Sequence, residues 1–152
     1  MPMKFRLDDQ ADAVSRLVEQ IERALMAEGV PMQVIYAVNL CVEELVLNSV
    51  NHGYGGAAAA DVEVEVEVEV DVDVERQQQR LIIDISDGAA AFDPTTEAAE
   101  PDTDAEIDER PIGGLGIHLV KRLTDEMSYR RLDGRNHVRL VKGFEPDADA
   151  EE

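Results

Sequence analysis

Three polar residues recur at helical spacing within an otherwise apolar segment. Glu44, Asn48 and His52 are each four residues apart, so in a helix they form one stripe along one side. The amide oxygen of Asn48 is a suitable ligand for a Mg²⁺ ion, and the ion would take further ligands from phosphate oxygens. The carboxylate of Glu44, one turn away, can accept a proton from a nucleophile. The alternative is that the stripe is simply the solvent-exposed edge of the helix, and the spacing alone leaves both interpretations open.

A second group of candidates lies where an apolar strand is predicted to end. Asp87 follows the segment RLIIDIS, and Ala89 and Phe92 come soon after it. An ionised carboxylate only accepts hydrogen bonds, so Asp87 could take one from an exocyclic amine while the small residues let a flat ring approach. A turn-forming Asp-Gly pair is the alternative.

The third group is a glycine segment before a predicted helix. Gly113, Gly114 and Gly116 surround Leu115, and backbone N–H groups at such a helix start suit a phosphate, although a plain tight turn gives the same pattern. Neither GxGxxG after a strand nor GxxxxGK[ST] is present, so the two commonest nucleotide-binding folds are not supported. Arg110 stands beside the glycines and is a candidate phosphate contact.

The charge balance limits the classes of partner. The chain has 152 residues, with 14 Lys and Arg against 34 Asp and Glu and a net charge of -20, which disfavours direct nucleic-acid binding and electrostatic attachment to anionic lipid. Its single cysteine, Cys41, rules out an internal disulfide framework. There is no apolar run approaching eighteen residues and no apolar leader segment. We therefore expect one domain with no membrane contact, in the cytoplasm.

Two helices are predicted before the first strand. Apolar residues recur at helical spacing from Asp8 or Asp9 to Gly29, and a second, more apolar helix runs from Pro31 to Gly53. A third helix is predicted after the glycine segment, over 117–127, with three leucines on one side: Leu115, Leu119 and Leu123.

The strands are predicted from alternation and turn signals. Valine alternates with Asp or Glu over residues 62–74, which is typical of a strand with one buried and one solvated face. A calcium site on the acidic face is the less favoured alternative, because carboxylates in a line do not surround an ion. RLIIDIS pairs with this strand, and two further strands, 128–133 and 137–142, flank the turn DGRN.

These elements predict an α+β fold. Helices and strands are partly segregated along the chain, which favours a two-layer α/β sandwich with a mixed, mostly antiparallel sheet and helices on one face. We expect one domain over residues 1–143 and an acidic disordered tail over 144–152. Residues 95–110 are acidic and unpatterned, and such a long loop is more often a functional lid than scaffold.

Taken in order, the three motifs resemble the N, G1 and G2 boxes of the GHKL ATPases, which share the Bergerat ATP-binding fold. The strings EELVLNSVNHGY, FDP and IGGLGIHLVKRLTDEMSYRR are similar to those of stand-alone anti-sigma-factor serine/threonine kinases, from about residue 8 to Lys142. The sequence departs from the family pattern in three places. Ala89 replaces the G1 glycine, and Ile112 replaces the first G2 glycine. In the strand after the turn, Asn136 and His137 stand where the family commonly has threonines near the adenine side.

The resemblance implies a role for each motif. Glu44 would be the general base, Asn48 the Mg²⁺ ligand and Asp87 the adenine contact. The glycines would form the phosphate loop and hinge of an ATP lid over residues 95–112. The remaining nucleotide contacts would be His52, Ala89, Phe92, Arg110 and Leu115.

The resemblance also implies partners. It predicts a kinase that uses ATP and Mg²⁺ to phosphorylate a STAS-domain anti-sigma antagonist, with a sigma factor as sequestered client. A homodimer is expected from the family, although the acidic face of the Val/acid strand disfavours self-association there. The alternative is a nucleotide-sensing or partner-binding switch module that transfers no phosphate.

Overall fold

The computed structural model describes residues 2–7, 12–49, 62–71, 78–89, 91–97 and 114–145. Its elements in chain order are β1 (Met3–Arg6), α1 (Ala13–Ala27), α2 (Met32–Asn48), β2 (Glu63–Asp71), β3 (Gln78–Asp87), α3 (Pro94–Glu97), α4 (Gly114–Leu123), β4 (Glu126–Leu132) and β5 (Arg135–Phe144). The predicted α+β class is confirmed. No helix among the described residues is long and apolar enough to cross a membrane.

The five strands form one sheet in the order β1-β2-β3-β5-β4. Every strand pair in the described residues is antiparallel. The central strand β3 pairs with β2 on one side and β5 on the other, and it ends at Asp87 opposite Asn136 of β5. The sheet therefore places one polar residue from each of two strands at the same edge.

The alternation of β2 divides its side chains between two faces, as predicted. Val62, Val64 and Val66 are fully buried, whereas the glutamates between them are only partly buried. One of these glutamates is paired with a neighbouring strand: Arg6 of β1 lies 2.6 Å from Glu63. Because such pairs are largely exposed, the valine face supplies most of the stability of this strand.

The helices cover the valine face. In α1 the residues Leu17, Ile21 and Leu25 are buried at helical spacing, and α2 contributes a broader buried surface that includes Ile35 and Val42. Helix α2 contacts both α1 and α4, so it lies in the middle of the helical layer. This central position explains why α2 is apolar over most of its circumference.

The hairpin between β4 and β5 turns where the DGRN segment predicts. Asp133 and Gly134 both have positive φ, 54° and 75°, as a tight two-residue hairpin turn requires. Arg135 and Asn136 lie beyond the turn in β5. The last residue of β5 is Phe144, which is buried and pairs with Gln79, although the sequence assigned it to the tail.

Several predicted bounds were wrong. Strand β1 and helix α3 were not predicted. The third helix was predicted over 117–127, whereas α4 begins at Gly114, within the glycine segment, and ends at Leu123, and β4 begins at Glu126. The buried side of α4 carries Ile117 and Val120, while Leu119 is 40% exposed. The predicted end of the second helix at residue 53, most of the lid and the tail after residue 145 lie outside the described residues.

Candidate functional site

A cavity opens between the end of α2 and the edge of the sheet where β3 ends. Four residues predicted from the sequence line it together: Asn48, Asp87, Ala89 and Phe92. The other lining residues are Leu45, Ser49, Ile85, Pro94, Asn136 and Val138. The wall is mostly apolar with a few polar groups, as expected of a site for a flat organic ligand.

Asp87 is the charged group of this cavity. It is 6% exposed, and its Oδ1 accepts hydrogen bonds from the backbone N–H of Ala89 at 3.0 Å and from Asn136 Nδ2 at 2.9 Å. Its Oδ2 accepts one from the Ser49 hydroxyl at 2.8 Å. A buried carboxylate is costly unless such donors satisfy it. The Asp-Gly pair therefore does more than form a turn, because it sets a hydrogen-bonded carboxylate in the cavity wall.

The segment after Asp87 is held in place by its own contacts. Arg131 of β4 donates a hydrogen bond to the Ala89 carbonyl at 2.7 Å. Asp93 accepts a hydrogen bond from the Thr95 backbone N–H at 2.8 Å, and Lys121 of α4 donates to the Thr95 carbonyl at 3.1 Å. These bonds tie both ends of the segment to the sheet and to α4, so Ala89 and Phe92 stay at the cavity.

Glu44 lies one turn before Asn48 on α2 and faces the start of α4. A Cβ added to Gly116 would lie 2.6 Å from Glu44 Cδ and 3.2 Å from Glu44 Cγ, and closer still to the carboxylate oxygen. Gly116 is the third residue of α4. The glycine therefore leaves the space that the Glu44 carboxylate occupies, which brings the predicted base against the predicted phosphate loop.

The remaining predicted residues are placed less fully. Gly114 and Leu115 open α4. His52, Arg110 and Gly113 lie outside the described residues, so their roles stay predictions. The described residues contain no group of three or more His, Cys, Asp or Glu side chains that could hold a metal ion.

Two polar residues of the cavity were not predicted as site residues. Ser49 follows Asn48 directly and was given no role. Asn136 was noted only as a departure from a family pattern, yet it is 4% exposed and contacts Asp87. The signal for Ser49 was its position beside Asn48, whereas nothing local to Asn136 indicates that β5 pairs with the end of β3.

Cys41 takes no part in the site. It is buried in the core on α2, and burial raises the pKa of its thiol to about 11, an effect that the charge of Lys142 partly offsets. The thiol is therefore neutral near pH 7 and is a packing group, not a nucleophile.

The chain is similar in sequence to known proteins. Residues 7–142 match the histidine kinase-like ATPase domain family. The chain is 29% identical over 113 residues to the serine/threonine-protein kinase BtrW of Bordetella bronchiseptica, covering 74% of this chain and 73% of BtrW.

Two solved structures align with most of the chain, and the first of them has a similar fold. The structure of the RsbU and RsbW domains of a Mycobacterium tuberculosis protein aligns with a TM-score of 0.61 at 16% identity, covering 93% of this chain and 32% of that one. The SiaB-SiaC complex of Pseudomonas aeruginosa aligns with a TM-score of 0.48 at 17% identity, covering 93% of this chain and 89% of that one.

Proposed function

Because the chain belongs to the histidine kinase-like ATPase family, as its three motifs predict, we propose that it binds Mg²⁺-ATP and phosphorylates a partner protein on serine or threonine. The observation that carries the proposal is the pair of sites on α2. Asn48 lines the cavity that contains Asp87, and Glu44 faces Gly116 one turn away. The likeness to BtrW, a serine/threonine-protein kinase by name, supports the same activity.

The cavity residues suit the adenine of ATP. The Asp87 carboxylate accepts hydrogen bonds and lies among apolar walls from Leu45, Ile85 and Val138, so an exocyclic amine can donate to it while the ring contacts those walls. Ala89 carries one methyl group more than the glycine of the family pattern, and this methyl adds to the apolar wall.

The residues also fit a magnesium ion at Asn48. The Asn48 side chain offers a hard oxygen ligand at the cavity, and an ion there would take its other ligands from phosphate oxygens and water. When bound, the ion would neutralise phosphate charge. Binding of the phosphates themselves would fall to the backbone N–H groups at the start of α4, which the helix dipole favours.

The transfer step then follows from the place of Glu44. The hydroxyl oxygen of a partner serine or threonine attacks the γ-phosphorus of ATP, and the bond from that phosphorus to the β,γ-bridging oxygen breaks, releasing ADP. Glu44 accepts the proton of the attacking hydroxyl. Most of the catalysis is positioning and charge neutralisation, since phosphoryl transfer needs little covalent help from the protein.

We infer that the phosphoacceptor is a STAS-domain anti-sigma antagonist, with a sigma factor as the client held in its absence. The motif strings around Glu44 and after Gly113 support this partner class. The competing function is a switch module that binds the same partner without transferring phosphate. The two share the Asp87 cavity and differ only in whether Glu44 acts as a base.

Labelled ATP separates the two functions. The protein is incubated with γ-labelled ATP, Mg²⁺ and the STAS-domain protein encoded nearest to it, and label on the partner is followed with time. For a kinase, Glu44→Gln lowers transfer by roughly 100-fold or more without weakening ATP binding. Glu43→Gln is the matched control, because the neighbouring Glu43 is exposed. Partner binding with no transfer by the unaltered protein would favour the switch module.

A further inference from the structure

We propose that Asn136 is a positioning residue for adenine recognition, which acts by fixing the Asp87 carboxylate so that Oδ2 alone receives the amino group of the base. This inference rests on the proposed function. Asn136 lies on β5 directly opposite Asp87, and it donates to Asp87 Oδ1 at 2.9 Å. Asn136 also lines the cavity, but its amide nitrogen is engaged by Asp87 and, at 3.5 Å, by the Ala89 carbonyl, so it acts on the ligand through the carboxylate.

The orientation of the Asn136 amide is determined by its surroundings. Its Oδ1 accepts hydrogen bonds from the Tyr129 hydroxyl at 2.5 Å, from Arg131 Nη1 at 3.0 Å and from the Phe92 backbone N–H at 3.2 Å. Reversing the amide would point its N–H groups at these donors and its oxygen at a carboxylate. Asn136 is buried, so a reversed amide could not exchange these partners for water. The Nδ2 group therefore faces Asp87.

This fixed donor decides which oxygen of Asp87 meets the ligand. Oδ1 accepts from two donors, Asn136 and the Ala89 backbone N–H. Among the described residues, Oδ2 accepts only from the Ser49 hydroxyl, so it is the less occupied of the two oxygens. Its open acceptor position matches one N–H of an exocyclic amine. A base with a carbonyl at that place would bring its oxygen against the carboxylate.

The Asn136 side chain also ties this acceptor to the cavity wall. The same oxygen that fixes the amide accepts the backbone N–H of Phe92, and Arg131 bridges Asn136 to the Ala89 carbonyl. Loss of the amide would remove one of the three hydrogen bonds that hold the carboxylate and would open a second acceptor position on Oδ1, so the amino group would no longer meet one defined acceptor.

The test uses a ligand that lacks the amino group. Affinities for ATP and for purine riboside triphosphate are measured by calorimetry in the unaltered protein, in Asn136→Ala and in Ser86→Ala. Ser86 is the matched control, since it is equally buried beside Asp87 but lines the opposite face of the sheet. We expect Asn136→Ala to weaken ATP roughly 10-fold or more and the analogue by less than about threefold, and Ser86→Ala to change neither.

Tyr129→Phe keeps the proposal testable if Asn136→Ala does not fold, because it removes one of the three donors that hold the amide oxygen. It should weaken ATP by roughly 2- to 10-fold and leave the analogue unchanged. Equal losses for both ligands, or an unchanged ratio of the two affinities in every folded variant, would overturn the role of Asn136. An unaltered protein that binds neither ligand would overturn the proposed function as well.

Discussion

Replacing Gly116 with alanine should separate folding from phosphoryl transfer. Gly116 lies in the first turn of α4, and a methyl group there would come 2.6 Å from Glu44 Cδ. Ordinary contacts between carbon atoms are about 3.5–4.0 Å, so Glu44 must move by about 1 Å or more. The atoms in the way belong to the end of a flexible side chain, and the helix itself can therefore remain intact.

The stability change follows from two opposing effects. Alanine is favoured over glycine inside a helix by about 1 kcal/mol. In the unaltered background the displacement of Glu44 offsets most of this gain, so Gly116→Ala should leave the free energy of unfolding nearly unchanged. In a Glu44→Ala background the methyl group meets no carboxylate, and the full gain of about 1 kcal/mol should appear.

A double-mutant cycle measures both effects. The free energy of unfolding of the four variants comes from urea titrations, and the rate of label transfer to the STAS-domain protein comes from the assay with labelled ATP. Gly116→Ala alone should lower transfer by roughly 100-fold, the scale of a lost general base, yet have little effect when Glu44 is already alanine. Equal stabilisation in both backgrounds would show that Glu44 does not lie against Gly116 and would refute the reasoning.

Three further predictions concern the scaffold. Burial raises the pKa of Cys41 from 9.0 to about 11, so the stabilisation by the neutral thiol is complete below pH 9 and is lost as the pH rises to about 11. Between these values the free energy of unfolding should fall by about 1.4 kcal/mol per pH unit. Urea unfolding at stepped pH should show this additional slope relative to Cys41→Ala. Val66→Ala should lower the free energy of unfolding by about 2 kcal/mol, because Val66 is fully buried. The control Glu67→Gln, on the other face of the strand, should change the free energy of unfolding by less than about 0.5 kcal/mol. Gly134→Ala should cost about 1 kcal/mol in the same titration, since Gly134 has φ 75° and open space around it; an unchanged value would contradict the left-handed turn.

The sequence predicts an element well where its own period is unambiguous. The Val/acid repeat of β2 can alternate only as a strand, and the structure confirms it from Glu63 to Asp71. Strand β1 has only four residues, in which apolar and basic side chains alternate. An alternation this short does not by itself predict a strand. The segment is a strand because Phe5 pairs with Val64 of β2, and the local sequence does not show this contact between distant residues.

Helix α4 shows a second limit of sequence analysis. Its sequence offers two apolar stripes, one with Leu119 and one with Ile117 and Val120. Leucine spacing favours the first, yet the structure buries the second. Which stripe is buried depends on how α4 packs beside α2. The Glu44 side chain of α2 contributes to this packing, because it occupies the space that a Cβ at Gly116 would fill.

The candidate site was predictable to the extent that it follows from helical spacing and strand ends. Asn48 and Asp87 were found in this way, and both line the same cavity. The contact of Asn136 with Asp87 could not be predicted, because it spans 49 residues and depends on the register of β5 against β3. A register of this kind is set by the packing of the whole sheet.

Helix α2 divides the proposed reaction into two parts that can be altered independently. Asn48 and Ser49 belong to the cavity with Asp87, whereas Glu44 lies four residues earlier against α4, about 6 Å away along the helix axis. Changes around Asp87 should therefore alter nucleotide affinity, and changes at Glu44 or Gly116 should alter the rate of transfer. A switch module would need only the cavity with Asp87. Nucleotide binding does not require the close fit between Glu44 and Gly116, so this fit favours the kinase.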